Sequence, residues 1–137
     1  VKGQRVKVFR LDEATALLDV VRPLVDDLIR MRRDAAIKLL EAQTAKTMVS
    51  DATGAHRASL QERQAHELQA ALVALIERIE SHGCIVKDVG MGLLDFPALR
   101  SGQLVNLCWK AGEPAINFWH GVEEGFGARK PISRRRR

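Results

Sequence analysis

The run ALLDVVRPLVDDLIRMRRDAAIKLL, residues 16–40, decides the reading of the chain. Its apolar side chains, Leu17, Leu18, Val21, Leu24, Val25, Leu28, Ile29, Ala35, Ala36, Leu39 and Leu40, recur at spacings of three and four. That stripe belongs to a long amphipathic helix. Pro23 removes one backbone donor and biases Arg22 away from helical angles, so a kink or restart is expected near Val21 to Pro23.

Downstream, Leu68, Ala71, Leu72, Leu75, Ile76 and Ile79 form a second stripe that runs to Gly83, a residue suited to the left-handed position past a helix end. Between the stripes, Ser50 to Gly54 has turn composition. At ~1.5 Å per residue, Pro23 to Val49 spans about 40 Å and Ser59 to His82 about 36 Å, a match expected of two antiparallel arms. The larger apolar residues between Glu41 and Glu67 are only Met48, Val49 and Leu60. An arm this poor in apolar area either packs on a second copy or moves. A homodimer with a four-helix arrangement is the expectation.

Upstream, Val6, Val8 and Phe9 alternate with Arg5, Lys7 and Arg10, the pattern of a short strand. After Gly83 the period changes again. Five of the six aromatic residues and eight of the ten glycines fall between Gly83 and Gly127. Cys84 to Val86, Gln103 to Trp109 and Ala115 to Trp119 read as strands, the last two joined by Lys110 to Pro114 in a hairpin loop. The helical hairpin returns the chain to its start, so the first strand and the one at Cys84 are expected side by side and antiparallel. The fold class is therefore α+β: a long antiparallel helical hairpin over about 12–82, with a small, mostly antiparallel sheet at its base over about 83–131. Residues 1–133 are expected to form a single domain, followed by a basic tail at 134–137.

The chain has 137 residues, enough to bury a core without disulfides or a structural metal. Cys84 and Cys108 lie outside any CxxC pairing and no secretory leader is evident, which fits a cytoplasmic protein. Charges interrupt every apolar run before the ~20 residues needed to cross a bilayer, so no membrane role is expected. The net charge of +5 includes four from Arg134 to Arg137, leaving +1 for the body (5 − 4). Nucleic acid is thus an unlikely partner except through that tail. Arg30, Arg32 and Arg33 are interleaved with Asp26, Asp27 and Asp34, which suits local pairs.

Gly92-Leu-Leu-Asp-Phe-Pro-Ala98, Leu107-Cys-Trp-Lys-Ala-Gly-Glu-Pro-Ala-Ile116, Phe118-Trp-His120 and Glu124-Gly-Phe126 through Arg129 and Pro131 form a long specific pattern. With Phe9 to Ala14, Ala16 to Leu18 and Val21 to Leu24, it resembles an uncharacterised bacterial family catalogued as domain of unknown function 2203. The resemblance covers nearly the whole chain but supplies no activity to carry over. One departure is Arg10, where such proteins commonly have Thr. An Arg side chain cannot accept a bond from the first helical amides.

Chemistry-bearing residues concentrate in the last third. His120 with Glu123 or Glu124 could serve acid–base or metal chemistry, although Gly121 argues against a helical HxxE pair. The spacings of His82, Cys84 and Cys108 match no usual zinc framework, so neither a metal nor a cofactor is expected. Cys108 could act as a nucleophile with His120 as base and Glu113 or Glu124 orienting the ring, or be a buried thiol. Gly90 and Gly92 lack the Lys-Ser or Lys-Thr of a phosphate loop and read as a turn. Asp95, Arg100, Lys110, Glu113, His120, Glu123 and Arg129, beside Trp109 and Trp119, could line a pocket for a small anionic or zwitterionic ligand. They could equally form a salt-bridge network locking the glycine-rich end to the helices. Whether the chain is an enzyme stays open at this point. An interaction or regulatory module that self-associates through the hairpin is the first expectation, and a small enzyme or ligand-binding protein the second.

Overall fold

The structure, a computed structural model, describes residues 7–47 and 52–133. Two helices, α1 (Leu11–Thr47) and α2 (Ala52–Glu80), lead into five strands: β1 (Ile85–Asp88), β2 (Leu93–Arg100), β3 (Gln103–Lys110), β4 (Phe118–Gly121) and β5 (Lys130–Pro131). The expected α+β architecture is what is found. The helices pack on each other, and the strands form one antiparallel meander in the order β1-β2-β3-β4-β5.

Helix α1 starts where Glu13 Oε1 accepts the Arg10 amide at 2.8 Å, one half of a capping box; the Arg10 side chain supplies no acceptor for the other half. Asp12 and Glu13 place negative charge at the positive end of the helix dipole. The buried positions Ala14, Leu18, Val21, Val25, Leu28, Ala35 and Ala42 keep to a repeat near 3.5 residues, and on α2 Ala58, Ala65, Leu72 and Ile79 are seven apart. That period gives a left-handed, coiled-coil-like seam. Near the sheet the seam is built of Leu18, Val21, Val25, Leu28, Leu72, Leu75 and Ile79; in the distal arm its buried apolar residues are alanines. A buried Leu contributes about 1.5–3 kcal/mol and a single methyl about 0.8, so the distal half holds together by far less. There the Lys46–Glu62 ion pair, 2.7 Å, bridges the arms at the surface.

Several sequence expectations need correction. The helix does not restart at Pro23: α1 is continuous across it. Pro23 is exposed, and so is Asp19, whose carbonyl the missing donor would have bonded, so water can satisfy it. The turn does not reach Gly54, since α2 begins at Ala52; Ser50 and Asp51 lie outside the described residues. Val6 is likewise outside them. Phe9 does not pair with the strand after Cys84. Instead it makes a single parallel bridge to Ala98, its amide donating to the Pro97 carbonyl at 2.7 Å.

Strand β2 was not anticipated, and it lies inside the sheet between β1 and β3. Asp95 and Pro97 disguise it, because Pro rarely enters a paired strand. Pro97's carbonyl faces Phe9, so its missing N–H lies on that flank and the pairing with β3 stays in register from Leu93↔Lys110 to Arg100↔Gln103. The hairpin closes through Ser101 (φ 52°) and Gly102 (φ 79°), two positive angles that a tight two-residue turn requires. The third strand begins at Phe118 rather than Ala115, because Ile116 is drawn into the core and the loop after β3 is longer than expected.

The core joins one face of the sheet to the helices: Leu94, Phe96, Ala98, Val105, Leu107 and Trp109 meet Leu18, Val21, Val25, Leu28, Leu75 and Ile79. Phe9 adds an edge-on contact to Phe96 at 5.5 Å. Gly92, in the turn before β2, has φ +65°, and a Cβ there would lie 2.6 Å from the Ala111 Cβ and 2.8 Å from Ile29 Cδ1. Only glycine allows sheet and helix to approach this closely.

Candidate functional site

Alternation along the strands sends Leu94, Phe96, Trp109 and Trp119 toward the helix side and Asp95, Cys108, Phe118 and His120 to the opposite face. The nine residues anticipated as one site are therefore divided between the two sides.

On the helix side, Trp109 is fully buried, and its indole N–H donates to the Glu113 carbonyl at 2.9 Å. Arg22 of α1 lies 5.4 Å from the Trp109 ring and donates to the Glu113 and Pro114 carbonyls at 3.2 and 3.3 Å. It pins the β3–β4 loop to the helix, a role that no local pattern revealed. Trp119 is flanked by Arg100 at 4.6 Å and Lys130 at 4.7 Å from its ring centre. Arg100 and Trp119 also border a cavity of about 170 Å³ near Phe9 and Leu11.

On the outer face, Arg129 makes two bonds to Glu113, at 3.1 and 2.8 Å, between the rings of Phe118 (4.1 Å) and Phe126 (4.2 Å). Burial pushes the Glu113 carboxyl up, but the Arg129 bonds, the Lys110 amide at 2.8 Å and both positive charges hold it below its ordinary value. Lys110 thus contributes its backbone to a tight turn. Glu123 is exposed, while its neighbour Glu124 accepts the Gly121 amide at 2.7 Å and the Lys130 ammonium at 2.8 Å.

Deeper on this face, His120 Nε2 lies 2.9 Å from Asp95 Oδ1 and its Nδ1 lies 2.8 Å from the Gly121 carbonyl. Both residues are essentially inaccessible to solvent. A carbonyl only accepts, so Nδ1 carries a proton and donates it; a second proton is shared between Nε2 and Asp95. His120 is thus committed to Asp95 and Gly121, not to Glu123 or Glu124. Cys108, directly opposite Asp95 in the β2–β3 register, completes a buried trio. Its thiol is pushed up to about 12, first by burial and then by the Asp95 charge, with Arg129, 4.0 Å from Sγ, pulling the other way. A thiol held neutral, beside a histidine engaged elsewhere, is not set up as a nucleophile. Cys84, also buried, is raised to about 12 by burial.

The sequence joined Asp95 and His120 only within a broad charged and aromatic set, and Cys108 to His120 only as a nucleophile with its base; Asp95 beside Cys108 was not anticipated. The missed signal was the carboxylate inside the run Leu93 to Ala98: alternation puts Asp95 opposite Leu94 and Phe96, facing whatever the next strands bring.

Fold and site together define a helical hairpin capped by an antiparallel meander whose outer face encloses a buried Asp–Cys–His cluster. The chain belongs to the DUF2203 family, described as an uncharacterized conserved protein, whose family model matches residues 7–132. No curated protein and no solved structure matches it. Among the described residues, no helix is long and apolar enough to cross a membrane.

Proposed function

We propose that this chain is an association module whose distal hairpin arm pairs with a second copy, the meander serving as a rigid cap that sets the spacing of the two helices. The observation that carries the reading is the exposure of Leu40 (63%), Ile37 (47%) and Leu39 (45%) on the arm whose own seam is alanine. Beside them, Ala35, Ala36, Leu39 and Ala65 line a groove of about 380 Å³, rimmed by Arg32, His66 and Gln69. Projecting aliphatic side chains and a shallow apolar groove on one arm are self-complementary under a two-fold axis, the commonest symmetry of homo-oligomers. The four-helix layer so formed would bury what the alanine seam leaves uncovered. Two buried free thiols suit a reducing compartment, which supports a cytoplasmic setting for the module.

A shared pocket for a small anionic ligand has weaker support. Glu113 is paired with Arg129, Arg100 lies on Trp119 across the sheet, and His120 is bound to Asp95. Sedimentation equilibrium of the native chain and of Leu40→Glu tests the reading. The native chain is expected at twice 15.2 kDa and the variant at 15.2 kDa with its helix content kept. A native chain that sediments at the single-chain mass throughout, or a variant that remains dimeric, overturns it.

A further inference from the structure

We propose that Asp95, Cys108 and His120 form a binding site for a divalent transition metal of zinc type. The three side chains come from three neighbouring strands, β2, β3 and β4, and their donor atoms all lie within 4.8 Å of one another. The register brings them together. Asp95 stands opposite Cys108, and His120 stands opposite Asn106, one step diagonal from Cys108 on the same face. A tetrahedral ion with bonds of about 2.0–2.3 Å needs its ligands about 3.3–3.8 Å apart, so the His120–Asp95 pair, now 2.9 Å, would open slightly while any longer separation, up to 4.8 Å, would close.

Three further features point to a cation. Asp95 Oδ2 is buried and has no hydrogen-bond partner among the described residues. Its neighbour in the trio, the Cys108 thiol, offers the carboxylate only a weak S–H bond, so Asp95 is poorly satisfied where that is costly. His120 donates Nδ1–H to the Gly121 carbonyl, which turns Nε2 toward Asp95 and Cys108. Anchoring one ring nitrogen to a carbonyl is how metal-binding histidines are fixed in tautomer and orientation. Arg129, tied to Glu113, sits 4.0 Å from Sγ and supports a thiolate there. Sulfur, imidazole nitrogen and one carboxylate oxygen suit zinc, or cobalt in its place, and exclude a magnesium or calcium site built of oxygen alone.

The charges balance. Without metal, the Asp95–His120 pair with its shared proton is neutral overall, as is the Cys108 thiol. When M²⁺ binds, the shared proton and the thiol proton leave, and carboxylate, thiolate and neutral imidazole bring the cluster back to zero. The buried site therefore exchanges two protons for one dication at no net cost in charge. Three protein ligands leave one position for water or a further ligand.

The test is titration of the chelator-treated full chain with Co²⁺ and Zn²⁺, followed by absorption and calorimetry. One equivalent of Co²⁺ is expected to bind with release of two protons, a thiolate-to-cobalt charge-transfer band and the strong visible bands of four-coordination; zinc should then displace it one for one with no further proton release. Cys108→Ser should lose the charge-transfer band and on the order of a hundredfold or more in affinity, beyond the 10–100-fold that outer-shell partners carry. Cys84→Ser, the other buried thiol, should keep both. Circular dichroism of each variant establishes that it is folded. Failure to bind one equivalent, or binding in folded Cys108→Ser equal to that of the native chain, overturns the proposal.

Discussion

At the residue scale, the site depends on strand alternation and on one glycine. Gly92 sits where the turn before β2 meets Val25 and Ile29 of α1, at a backbone angle that side chains rarely adopt. Gly92→Ala must both strain that angle and displace the Ala111 and Ile29 side chains. We expect a loss of about 2–4 kcal/mol, read as a lower denaturant midpoint with unchanged slope. A midpoint within error of the native one would contradict the close approach. The sequence showed Gly92 as a turn glycine but not its steric reason, which lies in a helix sixty residues upstream. Asp95 and His120 were legible as polar residues among apolar ones. The meeting of Asp95 with Cys108 was not, because register between strands is set by turns whose φ angles are not written in composition. Arg22 was hidden for a similar reason: its partners are the backbone carbonyls of Glu113 and Pro114.

At the scale of elements, the Glu113–Arg129 pair clasps the β3–β4 loop to the segment before β5. Arg129 and Glu113 keep only 12% and 23% of their side-chain surface exposed, so the pair is worth more than a surface bridge. The folded chain holds Glu113 below its ordinary pKa of 4.5, chiefly against burial and through Arg129, with Lys110 adding positive charge. The unfolded chain therefore takes up the proton first. The stabilisation is complete above about pH 4.5 and is lost as pH falls through the lower folded value. Thermal melts of Arg129→Met across about pH 3–7 are expected to show a loss on the order of 1–2 kcal/mol near neutrality and a flatter acid limb. Melting curves that parallel the native ones at every pH would refute the clasp. Among the elements, both helices could be read from their period, since a 3.5-residue stripe survives any loop. Strand β2 could not, because its continuous burial removes the alternation and Pro97 argues against pairing until its free flank is known.

At the scale of the whole molecule, apolar burial is uneven along the rod. The sheet end packs Leu, Val, Ile and Trp side chains between helices and meander, whereas the distal arm closes over alanines and keeps Ile37, Leu39 and Leu40 at its surface. The sequence already displayed this gradient in the scarcity of large apolar residues from Glu41 to Glu67. What it could not display was which side of α1 faces away from α2, since that follows from where the supercoiled seam runs. The second copy proposed for the arm would resolve the imbalance, and it predicts where concentration should matter. Hydrogen–deuterium exchange of dilute and concentrated native protein reads this directly. Amides of 32–47 and 58–69 should gain protection on concentration while those of β2 and β3 stay unchanged. Exchange that does not depend on concentration, or protection gained in the sheet and not in the arm, would contradict the account.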